Sequence, residues 1–262
     1  MIKPGAALVT GGAARLGRAM ALALADDGWA VAVNYQSSGD EADALVAEIE
    51  AKGRRAAALQ ADLLIEEETA SLIERSAAAL GAPLTLLINN ASIFEFDEIS
   101  DATRTGWDRA MESNLRVPFK LTQDFAAQAP PVNHDDRGEP VASAAVINMV
   151  DQRVLKPTPM FISYSIAKMG LYAFTRMAAQ GLAPQIRVAG IGPGPTLRGG
   201  RQSEEHFAKQ RAATVLERGS DPEDMVAAMR FILSSPAFTG QMLAMDGGQH
   251  LGWQTPDVIG VE

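Results

Sequence analysis

Short apolar runs alternate with amphipathic stretches along almost the whole of this 262-residue chain, and that rhythm limits the folds open to it. The runs at 6–10, 30–34, 55–60, 85–88, 144–149, 186–191 and 241–245 have the length and the Val, Ile, Leu and Ala content of buried strands. Between them, 16–27, 40–52, 66–80 and 105–129 carry apolar residues at helical spacing. Strands separated by helices pair in parallel, through right-handed crossovers. The expectation is one α/β domain over 1–262: a Rossmann-like, doubly wound, seven-stranded parallel sheet with helices on both faces.

Ligands of such sheets lie in the crevice beyond the C-terminal strand ends, so the loops there carry the chemistry. Two loops stand out. The stretch 130–143 (PPVNHDDRGEPVAS) is polar and broken by prolines, which predicts a surface connection. The stretch 192–203 (GPGPTLRGGRQS) follows a strand, is rich in Gly and Pro, and makes a candidate lid within a substrate segment spanning about 192–218.

Composition removes several function classes. The chain has no cysteine, which excludes disulfides and thiolate metal sites. Its three histidines, His134, His206 and His250, are far apart and in no metal-ligand spacing, so no metal is expected and each is read as a surface or loop residue. A net charge of −9 argues against a nucleic-acid partner, which needs a basic footprint. There is no apolar run of about 18 residues to cross a bilayer, and a cytoplasmic location with no membrane partner is expected.

Three stretches point to a nucleotide and to proton transfer. Thr10-Gly11-Gly12-Ala13-Ala14-Arg15-Leu16-Gly17 links the first strand to the first helix. Glycines there let the backbone approach a pyrophosphate at a helix N-terminus, although an unliganded strand–helix turn could read the same. After the second strand, Asn34-Tyr35-Gln36-Ser37-Ser38 carries no carboxylate before Asp40. An acid at that place holds the ribose 2′-hydroxyl of NAD and repels a 2′-phosphate. Its absence, with Arg15 and the hydroxyls of Ser37 and Ser38 at hand, favours NADPH over NADH. Tyr164-Ser165-Ile166-Ala167-Lys168 places a phenol and an ammonium four residues apart, on one face of a helix. A neighbouring cation favours tyrosinate, which lowers the Tyr pKa toward working pH.

With these stretches the chain resembles the short-chain dehydrogenase/reductase family. Thr10, Gly11 and Gly17 match its TGxxx[AG]xG turn, with Arg15 where a small residue is usual. The resemblance implies that Leu16 and Pro193-Gly194 border the cofactor and that Asp62-Leu63 meets the adenine. It likewise places Asn90, Ala91 and Ser92, in an NNAS version of the family's NNAG, beside the cofactor. It makes Tyr164 the proton donor, Lys168 the ribose-binding and tuning residue, and Asn114 the holder of a relay water. The family is commonly tetrameric, so a homotetramer is expected. Where most members have Ser, thirteen residues before the Tyr, this chain has Asp151. This catalytic carboxylate would orient Tyr164 or serve a proton chain to solvent, and it would oppose the effect of Lys168 on Tyr164. Arg15, NNAS, Phe94 and Asp151 together resemble the pteridine reductases and dihydromonapterin reductases. That subgroup implies a substrate site of Arg15, Ser92, Phe94, Asp151 and Tyr164, with Phe94 stacking a pterin against the nicotinamide. A reductase of another carbonyl compound and a nonenzymatic NADP-binding protein are the alternatives.

Overall fold

The computed structural model describes residues 2–255. Its main sheet is built from β1 (Ala6–Val9), β2 (Ala30–Tyr35), β3 (Ala56–Gln60) and β4 (Leu84–Asn89). Beyond a two-residue pair, β5 (Asn133–His134) and β6 (Pro140–Val141), it continues with β7 (Ala144–Met149), β8 (Ile186–Pro193) and β9 (Met242–Met245). The spatial order is β3-β2-β1-β4-β7-β8-β9, with every pairing parallel. Each of the seven expected strands is present, so the architecture is the doubly wound one.

Alternate side chains of these strands feed two separate cores, as the period-2 geometry of a strand requires. Val9, Val33, Ile88, Ile147 and Ile191 pack toward Met20 and Leu24 of α1 (Arg15–Asp26), Leu45 of α2 (Gly39–Ala51) and Met229 of a later helix, 222–234. Leu8, Leu87, Val146 and Val188 face the other way, onto Leu72 of α3 (Glu66–Leu80) and onto Leu121 and Phe125. The four central strands are buried on both faces, which explains their near-continuous apolar sequence.

The helix expected over 105–129 is three pieces: α4 (Arg104–Met111), one wide π turn at Glu112–Arg116, and α5 (Val117–Gln128). Pro118 explains part of this, because proline cannot donate to the preceding turn and is tolerated at the start of a new helix. Asn114 lies inside the π turn. The expected surface connection 130–143 does run over the surface, but contains the small antiparallel pair β5–β6. Beyond it, α6 (Ile162–Leu182) crosses back to β8, α7 (Glu204–Ala212) follows the Gly- and Pro-rich segment after β8, and α8 (Pro222–Ser234) returns to β9.

The chain steps outward from β1 to β3 and then returns to place β4 on the other side of β1. A crevice therefore opens where β1 and β4 end, between Thr10 and Asn90. Of the histidines, His134 and His206 are exposed, while His250 pairs with the buried Asp246 through Nδ1 at 2.7 Å. The tail residues Leu251 and Trp253 are exposed rather than core. No helix among the described residues is long and apolar enough to cross a membrane.

Candidate active site

The glycine turn is fixed by buried amides. Gly11 has φ +58°, a left-handed conformation that suits glycine, and Arg15 shares that region at +54°. The N–H of Gly12 bonds the Asn34 carbonyl at 2.9 Å, and the Asn34 side-chain oxygen accepts from the Gly11 N–H at 3.3 Å. From the other side, the Asn90 amide donates to the carbonyls of Thr10 (2.8 Å) and Gly11 (3.1 Å). The Thr10 hydroxyl accepts the N–H groups of Asn90 and Ala91 at 2.9 and 3.0 Å. A Cβ on Gly17 would fall 2.4 Å from the Gly11 carbonyl oxygen, so the turn closes only on glycine.

Below the turn lies a cavity of about 500 Å³, lined among others by Gly11, Gly17, Asp62 and Ala91. It meets the start of α1, whose N-cap Ala14 offers no capping side chain and whose first turn holds no acidic residue. Its early N–H groups are thus available to an anion, in contrast to α2 and α3, which begin with Asp40, Glu41 and Glu66–Glu68. These features fit the pyrophosphate of a dinucleotide.

Three side chains converge at the ends of β7 and α6. Tyr164 Oη donates to Asp151 Oδ2 at 2.8 Å. Lys168, one turn further along α6, donates to the Met149 carbonyl at 2.7 Å, and its Nζ lies 5.6 Å from the Tyr164 ring centre. Burial raises the Tyr164 pKa well above its usual 10, and the Asp151 charge and hydrogen bond push it the same way. Burial also lowers Lys168 to about 8, against the pull of Asp151. Asp151 is itself raised by burial, an effect opposed by the Arg153 N–H and by Tyr164. Burial and the Asp151 carboxylate thus act against the lowering that a neighbouring Lys168 would bring, and the direction at Tyr164 is upward.

An aromatic wall stands against Tyr164. Phe94 stacks on Phe161 with ring centres 4.2 Å apart and planes at 7°, and meets Tyr164 edge-on at 4.7 Å. Phe94 is still 44% exposed, so it is no core residue. Phe161 is the left-handed N-cap of α6, at φ +57°. It is held there by its N–H to the Asp97 carbonyl (2.8 Å), while Ser163 bonds the Asp97 carboxylate through both N–H and hydroxyl. A strained, bulky residue of this kind persists only where surrounding structure imposes it, and such residues cluster at active sites.

The match of residues 5–209 to the family model described as short chain dehydrogenase decides the lineage. The chain belongs to the short-chain dehydrogenase family. Among solved structures, this short-chain dehydrogenase is similar to FolM alternative dihydrofolate reductase 1 of Brucella suis in complex with NADP. The identity is 38%, the TM-score 0.90, and the match covers 98% of this chain and all of that one. The Brucella canis protein of the same name, also complexed with NADP, matches at 36% identity and TM-score 0.89 over 99% of this chain and all of that one. In sequence it is 30% identical to the 3-oxoacyl-[acyl-carrier-protein] reductase FabG of Staphylococcus epidermidis, over 94% of this chain and 98% of that protein.

Within this short-chain dehydrogenase, the residues anticipated from sequence fall into groups. Asp151, Tyr164 and Lys168 come together as one cluster. Gly11, Arg15, Leu16, Gly17, Asp62, Leu63, Asn90, Ala91 and Ser92 all line the cavity. Asn34 lines it too but is buried, spending its amide on the carbonyls of Leu59 and Ala61, so it supports the turn. Gln36 lines the cavity, bonded to Asp62 at 2.8 Å, whereas Tyr35, Ser37 and Ser38 do not. Pro193 ends β8, and Gly194, outside the cavity, abuts Asp246, where a Cβ would lie 2.6 Å from its Cα. Asn114 is fully buried: it donates to the carbonyls of Ile93 and Ala110 and accepts from the Ser92 hydroxyl at 2.6 Å. It thereby fixes the loop that carries Ser92 and Phe94. Arg15 reaches across the crevice to the carbonyls of Leu197 and Arg198, at 3.2 and 3.1 Å. Sequence reasoning missed Phe161, Asp97, Arg153 and Arg201, because none stands at a motif spacing; only Arg153, two residues after Asp151, carried a positional hint.

Proposed function

We propose that this short-chain dehydrogenase is an NADPH-dependent reductase of a pteridine-type substrate such as a dihydropteridine, a dihydromonapterin or dihydrofolate. The observation that carries the reading is the Tyr164–Asp151 hydrogen bond beside the exposed ring of Phe94. A flat bicyclic ring would use an aromatic wall and a proton donor at its edge, and the closeness of Phe94 to Tyr164 supports the reading. The likeness to the two Brucella proteins, named dihydrofolate reductases and complexed with NADP, supports the same assignment.

Residues Gly11–Gly17 and the start of α1 would hold the pyrophosphate, and Lys168 the nicotinamide ribose. NADPH, when bound, supplies the hydride. Tyr164 keeps its proton until a developing negative charge on the substrate nitrogen or oxygen draws it away, and Asp151 orients the phenol for that transfer. Asn114 acts by holding Ser92 and Phe94 in place.

A second reading, reduction of a 3-oxoacyl thioester, is favoured by the similarity to the staphylococcal reductase. Asp151 weighs against it: a carboxylate stands where most of the family has a serine hydroxyl. NADPH consumption with dihydrobiopterin, dihydromonapterin, dihydrofolate, simple ketones and a 3-oxoacyl thioester separates the two. Faster turnover of the pteridines is expected, and a preference for the thioester overturns the assignment.

A further inference from the structure

The protein is acidic, yet two arginines gather beside the Phe94–Phe161 pair. About half of the arginines have an acidic partner, as in Arg18–Glu48, Arg104–Asp108 and Arg230–Asp27. Arg153 and Arg201 have none within ion-pair distance among the described residues. Arg153 donates to the Thr158 hydroxyl at 2.9 Å, and Arg201 donates to the Phe94 carbonyl. Both guanidinium groups also converge on one aromatic pair. The Arg153 guanidinium carbon lies 5.8 Å from the Phe94 ring centre and 5.0 Å from that of Phe161; for Arg201 the distances are 5.9 and 5.8 Å.

Both cations are held against the same two rings, a contact that stabilises a cation only modestly. An oxyanion beside them gains charge-assisted, bidentate hydrogen bonds. The position lies next to the proton donor, since Phe94 meets Tyr164 edge-on.

We propose that Arg153 and Arg201 form a specificity site for an oxyanion, a carboxylate or a phosphate, carried on the side chain of the flat substrate. The inference rests on the pteridine reading and sharpens it: substrates with an anionic tail are preferred over those with a neutral one. Arg201, on the loop between β8 and α7, bridges that loop to the Phe94 carbonyl.

The test compares dihydrofolate, which carries carboxylates, a dihydropteridine bearing a phosphate ester, and dihydrobiopterin, whose side chain is uncharged. In the wild type, kcat/KM is expected to favour at least one anionic substrate, and added salt to erode that preference by screening. Which anion is favoured separates carboxylate from phosphate. In Arg201→Gln the preference over dihydrobiopterin is expected to fall about tenfold, mainly through KM, a change equivalent to about 1.4 kcal/mol. Arg201→Lys, which keeps the charge, is expected to retain part of it. A wild type indifferent to tail charge and salt overturns the inference while leaving the pteridine reading intact. So does a folded Arg201→Gln, checked by melting, with an unchanged preference. Failure of all three compounds to turn over or to bind removes the pteridine reading and this inference with it.

Discussion

The glycine-turn wall of the crevice is held by backbone conformation and buried amides, whereas the wall around Tyr164 is held by aromatic and charged side chains that remain partly exposed. On the first wall, the Asn34 side-chain oxygen and the Asn90 amide bond the turn, and Gly17 leaves no room for a methyl group. On the second, Phe94 and Phe161 stack in the open, beneath arginines without acidic partners. A wall built from backbone can fit a chemically constant ligand closely. A wall built from side chains can change its ligand by exchanging a few residues. That division suits a family that shares a dinucleotide and differs in substrate.

If the two walls are separate in function, substitutions divide between chemistry, cofactor and substrate. The largest effect is expected for Tyr164→Phe, which keeps the ring and removes the transferable proton. General acid catalysis contributes about 10²–10⁴-fold, so kcat falls by that order while NADPH affinity, measured by titration, is retained. A variant keeping most of the wild-type rate removes Tyr164 as the donor.

Next in size is Gly17→Ala, whose methyl group meets the Gly11 carbonyl. It is expected to weaken NADPH binding by about tenfold or more, equivalent to at least about 1.4 kcal/mol. Calorimetric titration beside a melting curve checks this, and an unchanged affinity contradicts the cradle.

The pH dependence is smaller. With Lys168 near 8, the cation is fully present below that value and is lost as pH rises through it. The free-enzyme kcat/KM for reduction is expected to halve near pH 8 and to fall further above it. In Lys168→Arg, whose cation persists, that descent is expected to vanish, whatever the absolute rate. Stability has the opposite sign. Between about 8 and the ordinary 10.5 the folded chain binds fewer protons at Lys168 than the unfolded one, so this group's contribution rises with pH.

The smallest effect concerns Arg15, which starts on the first wall and ends on the loop after β8. Arg15→Ala is expected to raise the KM for NADPH severalfold more than that for NADH, as loss of a cation near the 2′-phosphate implies. An unchanged ratio assigns Arg15 to bracing the loop after β8 through Leu197 and Arg198 instead.

These two walls also differed in how far they could be read from the amino-acid order. The sheet and the glycine turn were legible because strand period, glycine spacing and the βα rhythm are local properties of sequence. The Tyr164–Lys168 pair was legible for the same reason, being one helical turn. The break of 105–129 at Asn114 was hidden, since a π turn uses the same residue types as the helix around it. Phe161 was hidden because its left-handed conformation is imposed by Asp97, distant in sequence. The direction of the Tyr164 pKa was likewise out of reach, since it depends on burial and on the distance to Asp151.

Phe94 is where the account is most exposed to a direct measurement. Steady-state kinetics of Phe94→Ala with a dihydropteridine and with a small aliphatic ketone, beside NADPH titration and a melting curve, isolates the role of its ring. Offset stacking contributes about 0.5–1.5 kcal/mol beyond the area buried, so loss of about tenfold or more is expected for the dihydropteridine. The ketone and NADPH are expected to change less, and the melting temperature little, because the ring is already 44% exposed. A uniform loss across both substrates with a lowered melting temperature contradicts the stacking role and, with it, the assignment of this crevice to a pteridine.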